Sequence, residues 1–495
     1  MEKVANRKMA TIADVLGGAV ERDLTGWGMR PIAHTHVLKP RDVDELANAL
    51  SAAATAGAPV CLRAGGGSYG DAALLDGGFT LDSTMLDDII SWDAVTGLAT
   101  VEPGVTVAQL WRRILPDGWR PAVVPGLGAV TMAGAAAANI HGKNNWRVGS
   151  FGDHIVSFEM ALPSGERVTC SREAHADLFA AAISGMGLLG AFTRLTLQAT
   201  RIASGLVAER QTAHGSLAAL LEASDEASAS ASDLVAWMDT SARGAALGRG
   251  LLGETRELTP GEDPNAAETL RTAWEEWPGR SARMLRALPP SLVPTLARPL
   301  TRPAGVWLAN RAQWLIGAAA SKSSQWRRVS YPAANFPLDI IPNWRDTYRP
   351  GGLIQHQAFI PAHAARQGFT ELLARAHAAG YTPSLGVMKK QHASDFTLNY
   401  LVDGYSLALD FPVLRDREAG LLKLLGELND LTLDYGGRLY FAKDSTLTSA
   451  QIARMLPRAD RARFAALKAQ VDPGETLQSG LYRRALRGAL RLDAL

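Results

Sequence analysis

The sequence predicts an α+β fold in which an N-terminal unit is interrupted by a second unit and completed by the C-terminus. Three observations lead there. Over the first two hundred residues, short apolar strands alternate with Ala-rich helices and glycine turns. A second unit of alternating helices and strands begins near residue 201, and from Leu433 onward the texture resembles the first unit again. At 495 residues the chain also exceeds what one ordinary core accommodates. The expected division is residues 1–200 completed by 435–495, with 201–434 inserted between them.

Each element has a local reason. Arg41-Asp42-Val43-Asp44-Glu45-Leu46 opens a helix that runs through 46–56, its acidic first turn complementing the helix dipole. Val60-Cys61-Leu62-Arg63 is a short apolar strand ending in glycines. Phe79-Thr80-Leu81-Asp82 and Leu98-Ala99-Thr100-Val101-Glu102 alternate as strands do, and Gly104 turns the chain into a helix from Val107. Residues 158–170 read as a hairpin, with Pro163-Ser164-Gly165-Glu166 as its turn. A strand over 192–197 closes the unit.

Charge is nearly balanced, 51 Lys and Arg against 49 Asp and Glu, so no global field points to nucleic acid. Cys61 and Cys170 form no C-x-x-C pair, and His34 with His36 lacks a carboxylate or cysteine cluster, so no metal site is expected. The N-terminus lacks the apolar core of a signal peptide. Residues 121–140 imitate a membrane span in length, but two prolines, three glycines and many alanines give little transfer energy. A cytoplasmic or peripherally membrane-associated protein is expected.

From Trp277 to Leu338 there is no Asp or Glu, while nine Arg and Lys residues, from Arg280 to Arg328, interleave with leucine and tryptophan. Such a pattern suits an anionic lipid surface, where each basic residue contributes about 1 kcal/mol. The alternative is a proline-broken loop packed on its own domain with solvated arginines.

Residues 63–71, RAGGGSYGD, contain a formal G-x-G-x-x-G after a strand. A dinucleotide fingerprint must open a helix, yet only Asp71-Ala72-Ala73-Leu74-Leu75 precede the break at Asp76-Gly77-Gly78. The loop can still cradle a pyrophosphate with consecutive backbone N–H groups. Residues 125–134 and 185–190 make two further glycine loops beside strands, so the three can line one long ligand. The second continues into Gly134–Ala138 and stops at the polar group His141-Gly142-Lys143-Asn144-Asn145.

With Glu102-Pro103-Gly104-Val105-Thr106, these loops resemble the FAD-binding domain of the vanillyl-alcohol oxidase superfamily. Residues 140–144 and 149–154, then 355–361, 410–412 and 436–445, resemble its subfamily of decaprenylphosphoryl-ribose oxidases. The resemblance covers about 30–200 and 350–485 and is thin over 201–349. It implies a two-domain fold: an FAD-binding domain finished by the C-terminus, and an inserted substrate domain built on an antiparallel sheet with helices.

It also implies roles. FAD would lie on Arg63, Ala64, Gly65, Gly66, Gly67, Ser68, Tyr69 and Gly70, and on Gly126, Thr131, Met132, Ala133 and Gly134. Ala138, Asn139, Ile140, His141, Phe192 and Tyr440 would complete the cofactor contacts. Lys443, Tyr440 and His141 would be catalytic, and Gln357, Lys389 and Lys143 would bind substrate, with Lys390 an alternative to Lys389. The implied substrate is a lipid-linked sugar, oxidised at a hydroxyl (C2 of a polyprenyl-phosphate pentose), with a separate NAD(P)H-dependent reductase completing an epimerisation. That is the route to the arabinose donor of mycobacterial cell walls. Oxidation of a free sugar, alditol or lactone is the enzymatic alternative, and a flavin-binding scaffold without turnover the non-enzymatic one. Ala408 stands where the subfamily carries a cysteine, and Asn145-Trp146 replaces a histidine pair, which puts the substrate in question.

Many members of that superfamily tether FAD through a histidine in the first glycine loop. None occurs between Arg63 and Asp76, and residues 125–134 contain no cysteine for a second link. Acid precipitation should therefore release yellow colour into the supernatant; a yellow pellet would contradict noncovalent binding.

Overall fold

A computed structural model describes residues 17–275, 292–323, 325–340 and 343–491. Asp42 caps the Val43–Thr55 helix by accepting from the Glu45 amide, and the helix buries Leu46, Leu50 and Ala53 against neighbouring strands. That follows from the apolar spacing of the sequence. The first sheet has the order β1 (Val20–Thr25), β2 (Ile32–Leu38), β4 (Gly78–Asp82), β3 (Val60–Arg63), with β4 parallel to both its neighbours.

An antiparallel sheet follows, ordered β5 (Ile89–Asp93), β6 (Leu98–Val101), β10 (Ala191–Arg201), β8 (Ile155–Ala161), β9 (Arg167–Ser171), with β7 (Trp119–Pro121) also on β10. The expected hairpin is β8–β9. Between β6 and β7, the Val107–Ile114 helix starts at a Thr106–Gln109 capping box and buries Trp111 completely. The uncharged run 121–140 is the end of β7, a loop and the six-residue helix Met132–Ala137. No helix among the described residues is long and apolar enough to cross a membrane.

The third sheet is antiparallel throughout. Its order is β14 (Arg327–Ser330), β11 (Leu206–His214), β13 (Gly250–Glu257), β12 (Asp233–Met238), β16 (Leu385–Gln391), β17 (Gly404–Pro412), β15 (Leu353–Pro361), β18 (Arg438–Leu439). One face buries Leu407, Leu409, Met388 and Ala358 beneath the helices Ala362–Ala378 and Glu418–Asp434.

After β18 the chain rejoins its beginning. The Val60 amide donates to Thr476 O at 2.7 Å, and the Gln478 amide donates back to Val60 O at 2.8 Å. Ile452, Phe464 and Leu481 share a core with Trp111, Phe158 and Met160.

The acid-free segment is more ordered than an open loop. Arg280, Arg283 and Arg286 lie outside the described residues, but Pro303 sits in the first turn of a helix, Pro303–Ser321, where its missing N–H costs nothing. That helix buries Val306, Asn310 and Gly317 and leaves Trp307, Leu308, Leu315 and Ile316 exposed. Gly317 packs closely on β13: a Cβ there would meet Leu251 Cδ1 at 2.2 Å, so the leucine would have to shift. Arg327 pairs with Glu209 at 3.0 Å, so it is not simply solvated.

Three parts of the molecule meet at Arg120, which is 5% exposed. Its guanidinium donates twice to Glu257 of β13 (3.1 and 2.8 Å) and to the carbonyls of Pro121 and Ala122 (3.0 and 2.9 Å). The Tyr331 hydroxyl donates to the same Glu257 oxygen at 2.6 Å. Arg120→Ala should lower stability by about 1–3 kcal/mol in urea unfolding, because buried acceptors lose their donor; an unchanged unfolding curve would remove the node from the account.

Candidate active site

A cavity of about 580 Å³ runs between the first glycine loop and the inner face of the third sheet. Period-2 alternation decides which side chains face it. From β15 these are Gln355 and Gln357, from β17 Ser406, Ala408 and Asp410, and from β16 Leu385, Val387 and Lys389. Register places Gln355 opposite Asp410, Gln357 opposite Ala408, and Lys389 opposite Ser406. The same alternation settles the choice left open by the sequence. Lys389 lines the cavity, whereas Lys390 points away, its ammonium on Asp225 (2.7 Å) and Ser228 (2.9 Å).

Arg63, Ala64, Gly65, Gly66, Gly67, Ser68, Tyr69, Gly126, Thr131, Ala133, Gly134, Ala138, Ile140, His141, Lys143, Phe192, Tyr440 and Lys443 also line the cavity, so most of the predicted set converges. Gly70, Met132 and Asn139 do not, and each supports the wall from behind. A Cβ at Gly70 would lie 1.9 Å from Asp444 O, so backbone meets backbone there. Met132 is fully buried in the core. Asn139, fully buried at a φ of 43°, accepts from the Gly152 amide (2.8 Å) and, through its carbonyl, from the Tyr400 hydroxyl (2.7 Å). Trp146 also stays off the cavity, its indole donating to Ser228 O at 3.4 Å, and Asn145 accepts from the His392 amide at 2.8 Å. Neither residue adds bulk to the cavity wall.

Lys443 is the electrostatic centre. Its ammonium lies 3.6 Å from the centroid of the Tyr69 ring, a cation–π contact. Burial pulls its pKa below the ordinary lysine value; Asp410 opposes the fall and Lys389 adds to it. Asp410, 1% exposed, moves the other way: burial raises its pKa against the Gln355 hydrogen bond and the Lys443 charge. One Asp410 oxygen accepts from Gln355 and the other has no protein partner among the described residues. Lys389 is lowered to about 8 by burial and then by Lys143. Burial likewise lowers Lys143, whose ammonium donates to Ala334 O at 2.6 Å. Burial raises the Tyr440 phenol, which therefore stays protonated at neutral pH; its ring stacks on Tyr400 with centroids 4.0 Å apart.

His141 stands between two glutamines, with Gln357 Nε2 3.0 Å from Nε2 and Gln391 Nε2 3.4 Å from Nδ1. Burial, then Lys389 and Lys443, hold its pKa well below the ordinary histidine value. A neutral imidazole has one N–H and one acceptor, so the ring accepts from only one of these amides. Asp410, Gln355, Gln391 and Tyr400 were assigned no role from the sequence. The alternations Gln355-His356-Gln357 and Ser406-Leu407-Ala408-Leu409-Asp410 carry a signal for the first two. Gln391 continues the alternation of Leu385, Val387 and Lys389 at the end of β16, whereas Tyr400 has no such signal, because it arrives through loop geometry.

The first glycine loop suits an anionic dinucleotide. Gly66 has φ 62°, and a Cβ there would strike the Arg63 guanidinium at 2.2 Å. The amides of Gly66, Gly67 and Ser68 donate to no protein acceptor among the described residues. Bare amides beside the half-buried Arg63 guanidinium form an anion cradle. The residues therefore fit a flavin dinucleotide.

Residues 34–171 match the family described as FAD binding domain. Decaprenylphosphoryl-β-D-ribose oxidase of Mycolicibacterium smegmatis is 31% identical over 470 residues, 93% of this chain and 96% of that protein. An uncharacterised protein of Streptomyces coelicolor is 30% identical over 77% of this chain and 99% of its own length. The L-gulono-1,4-lactone dehydrogenase of Mycobacterium tuberculosis is 30% identical over 40% of this chain and 45% of its own.

In an imidazole ¹⁵N titration from pH 5 to 8, His141 should keep one bare nitrogen throughout. A doubly protonated ring at pH 6 would contradict its placement.

Proposed function

This chain belongs to the family of FAD-dependent oxidoreductases that includes decaprenylphosphoryl-β-D-ribose oxidase, and from that premise we propose that it oxidises a ring hydroxyl, C2, of a polyprenyl-phosphate pentose. The observation that carries this reading is the set of groups lining one cavity: a desolvated lysine, two glutamines, a neutral histidine and two further lysines. Bound FAD supplies the hydride acceptor.

Lys443 takes the hydroxyl proton. Its lowered pKa makes the free amine available near neutral pH, which an exposed lysine does not offer. Gln357 and the protonated Tyr440 phenol orient the sugar, and His141 fixes Gln357. Burial lowers both Lys389 and Lys143, and Lys143 lowers Lys389 further, so a phosphodiester received beside them relieves both. A keto-sugar released at this point needs a separate reductase to complete an epimerisation.

The fold is assigned as the two-domain arrangement expected from the sequence, 1–200 with 435–495 holding FAD and 201–434 holding substrate. The shared core of early and late residues supports it. The acid-free helix Pro303–Ser321, with Trp307, Leu308, Leu315 and Ile316 outward, supports docking on a membrane surface that holds the lipid tail.

Anaerobic mixing with a lipid-linked pentose should bleach the flavin absorbance, and Lys443→Ala should slow that reduction by about 10²–10⁴-fold. Reduction should rise with pH through a midpoint well below 10.5, the ordinary lysine value. Asp410→Asn should move that midpoint down, because Asp410 favours the protonated amine. Turnover of a free lactone or alditol alone would favour the other enzymatic reading, and persistent colour with every substrate the scaffold.

A further inference from the structure

A cationic group outside the cavity joins the two parts of the site. Arg484 lies in a π-helical turn, Tyr482–Leu486, an irregularity that concentrates at functional positions. Its guanidinium donates to both oxygens of Asp71, each at 2.9 Å, to Asp444 Oδ2 at 2.7 Å, and to Leu447 O at 2.6 Å. Asp71 ends the first glycine loop, and Asp444 directly follows Lys443.

The surroundings leave little freedom. The other Asp444 oxygen accepts from the amides of Thr446 and Leu447, both at 2.8 Å. The Tyr69 amide donates to Ala442 O at 2.7 Å. A Cβ at Gly480 would lie 2.6 Å from the Asp71 Cβ, so the C-terminal turn presses on the loop itself. Without Arg484, two carboxylates would face each other across this contact. Their repulsion would open the seam that holds Tyr69 beneath the Lys443 ammonium.

We propose that Arg484 is a positioning residue for the reaction: it clamps Asp71 to Asp444, fixing the Lys443 amine relative to the cofactor loop and neutralising the carboxylate next to it. The proposal rests on the reading of Lys443 as the group that takes the substrate proton. The groups facing Lys443 are Tyr69 beneath it, Asp410 from β17, Lys389 from β16, and the neutral His141. Buried His356 shares with Lys443 and Asp444 a small void of about 10 Å³ on the far side. Arg484 compensates the Asp444 carboxylate directly, together with Asp71.

Substrate-driven flavin reduction is measured against pH in Arg484→Gln, Asp444→Asn, the double variant, and Arg484→Lys. Arg484→Gln should move the rising limb upward by about one pH unit, because an uncompensated Asp444 carboxylate favours protonated Lys443. Asp444→Asn should move it downward, and the double variant should return it toward wild type. Arg484→Lys should hold the limb near its wild-type position while weakening the bidentate grip. An independent readout is FAD affinity, followed by the fluorescence of released flavin: Arg484→Gln should raise the dissociation constant several-fold through the loosened loop.

A limb that stays in place in both Arg484→Gln and Asp444→Asn, with only lower thermal stability, would overturn the proposal. Should Arg484→Gln fail to fold, Asp444→Asn still decides the electrostatic half and Arg484→Lys the affinity half. If Lys443→Ala reduces flavin normally, the underlying reading of Lys443 fails instead. If Lys443→Ala is slow and no limb moves, only the role of Arg484 falls.

Discussion

The site depends on a lysine ammonium taken out of water. Desolvating an ammonium costs several kcal/mol unless nearby groups compensate, and Lys443 has only partial compensation: the Tyr69 ring beneath it and the Asp410 carboxylate beside it. Full neutralisation by a close ion pair would hold the proton on the amine. Full isolation would expel the charge altogether. The intermediate arrangement leaves the group able to change protonation state, which proton transfer requires.

That balance is positional, so the backbone around it is tightly constrained. At Gly70 the glycine loop and the Lys443–Asp444 turn touch without room for a methyl group. The loop comes from the chain's first hundred residues and the lysine from its last hundred. The return of the C-terminus onto Val60 and Leu74 is therefore what assembles the site. The third sheet supplies the opposite wall, and its register places Asp410 and Gln355 side by side. Arg120 and Glu257 tie that sheet to the N-terminal strands, so the two walls keep their separation.

Much of this was legible because it is local. Asp42 and Thr106 mark helix starts, glycine clusters mark loops that approach a ligand, and an abrupt polar group at His141 marks the end of a small-residue run. The strands that face the cavity were also readable in principle, since Gln355, Gln357 and Asp410 obey period-2 alternation. What was not legible depends on distance in the chain. Gln391 reaches His141 across 250 residues, and Tyr400 reaches the Asn139 carbonyl across 261. Gly70 and Asn139 show the converse: sequence proximity to a ligand loop does not decide whether a side chain faces the ligand or braces the wall. The acid-free segment was readable in charge but not in shape, because a proline in the first turn of a helix looks in sequence like a break.

Substitutions near the site separate by the same geometry. Trp146 follows closely on the His141 group, yet its indole turns to Ser228 O, away from the cavity, so sequence adjacency overstates its influence. Ala408 is remote in sequence from both but faces the cavity opposite Gln357 and Val387. A methyl there adds no donor, acceptor or ionisable group to a wall that already holds Asp410 and Ser406. The polar work of that wall thus falls to groups whose protonation is set by burial and by one another. Lys389 and Lys143 form a second cationic region, both lowered by burial and both partly offset by Asp233. The cavity thus holds one buried lysine beside Asp410 and two further buried lysines in its wall. Under the proposed reaction, a sugar joined to a phosphodiester meets both regions, whereas a free lactone meets only the first.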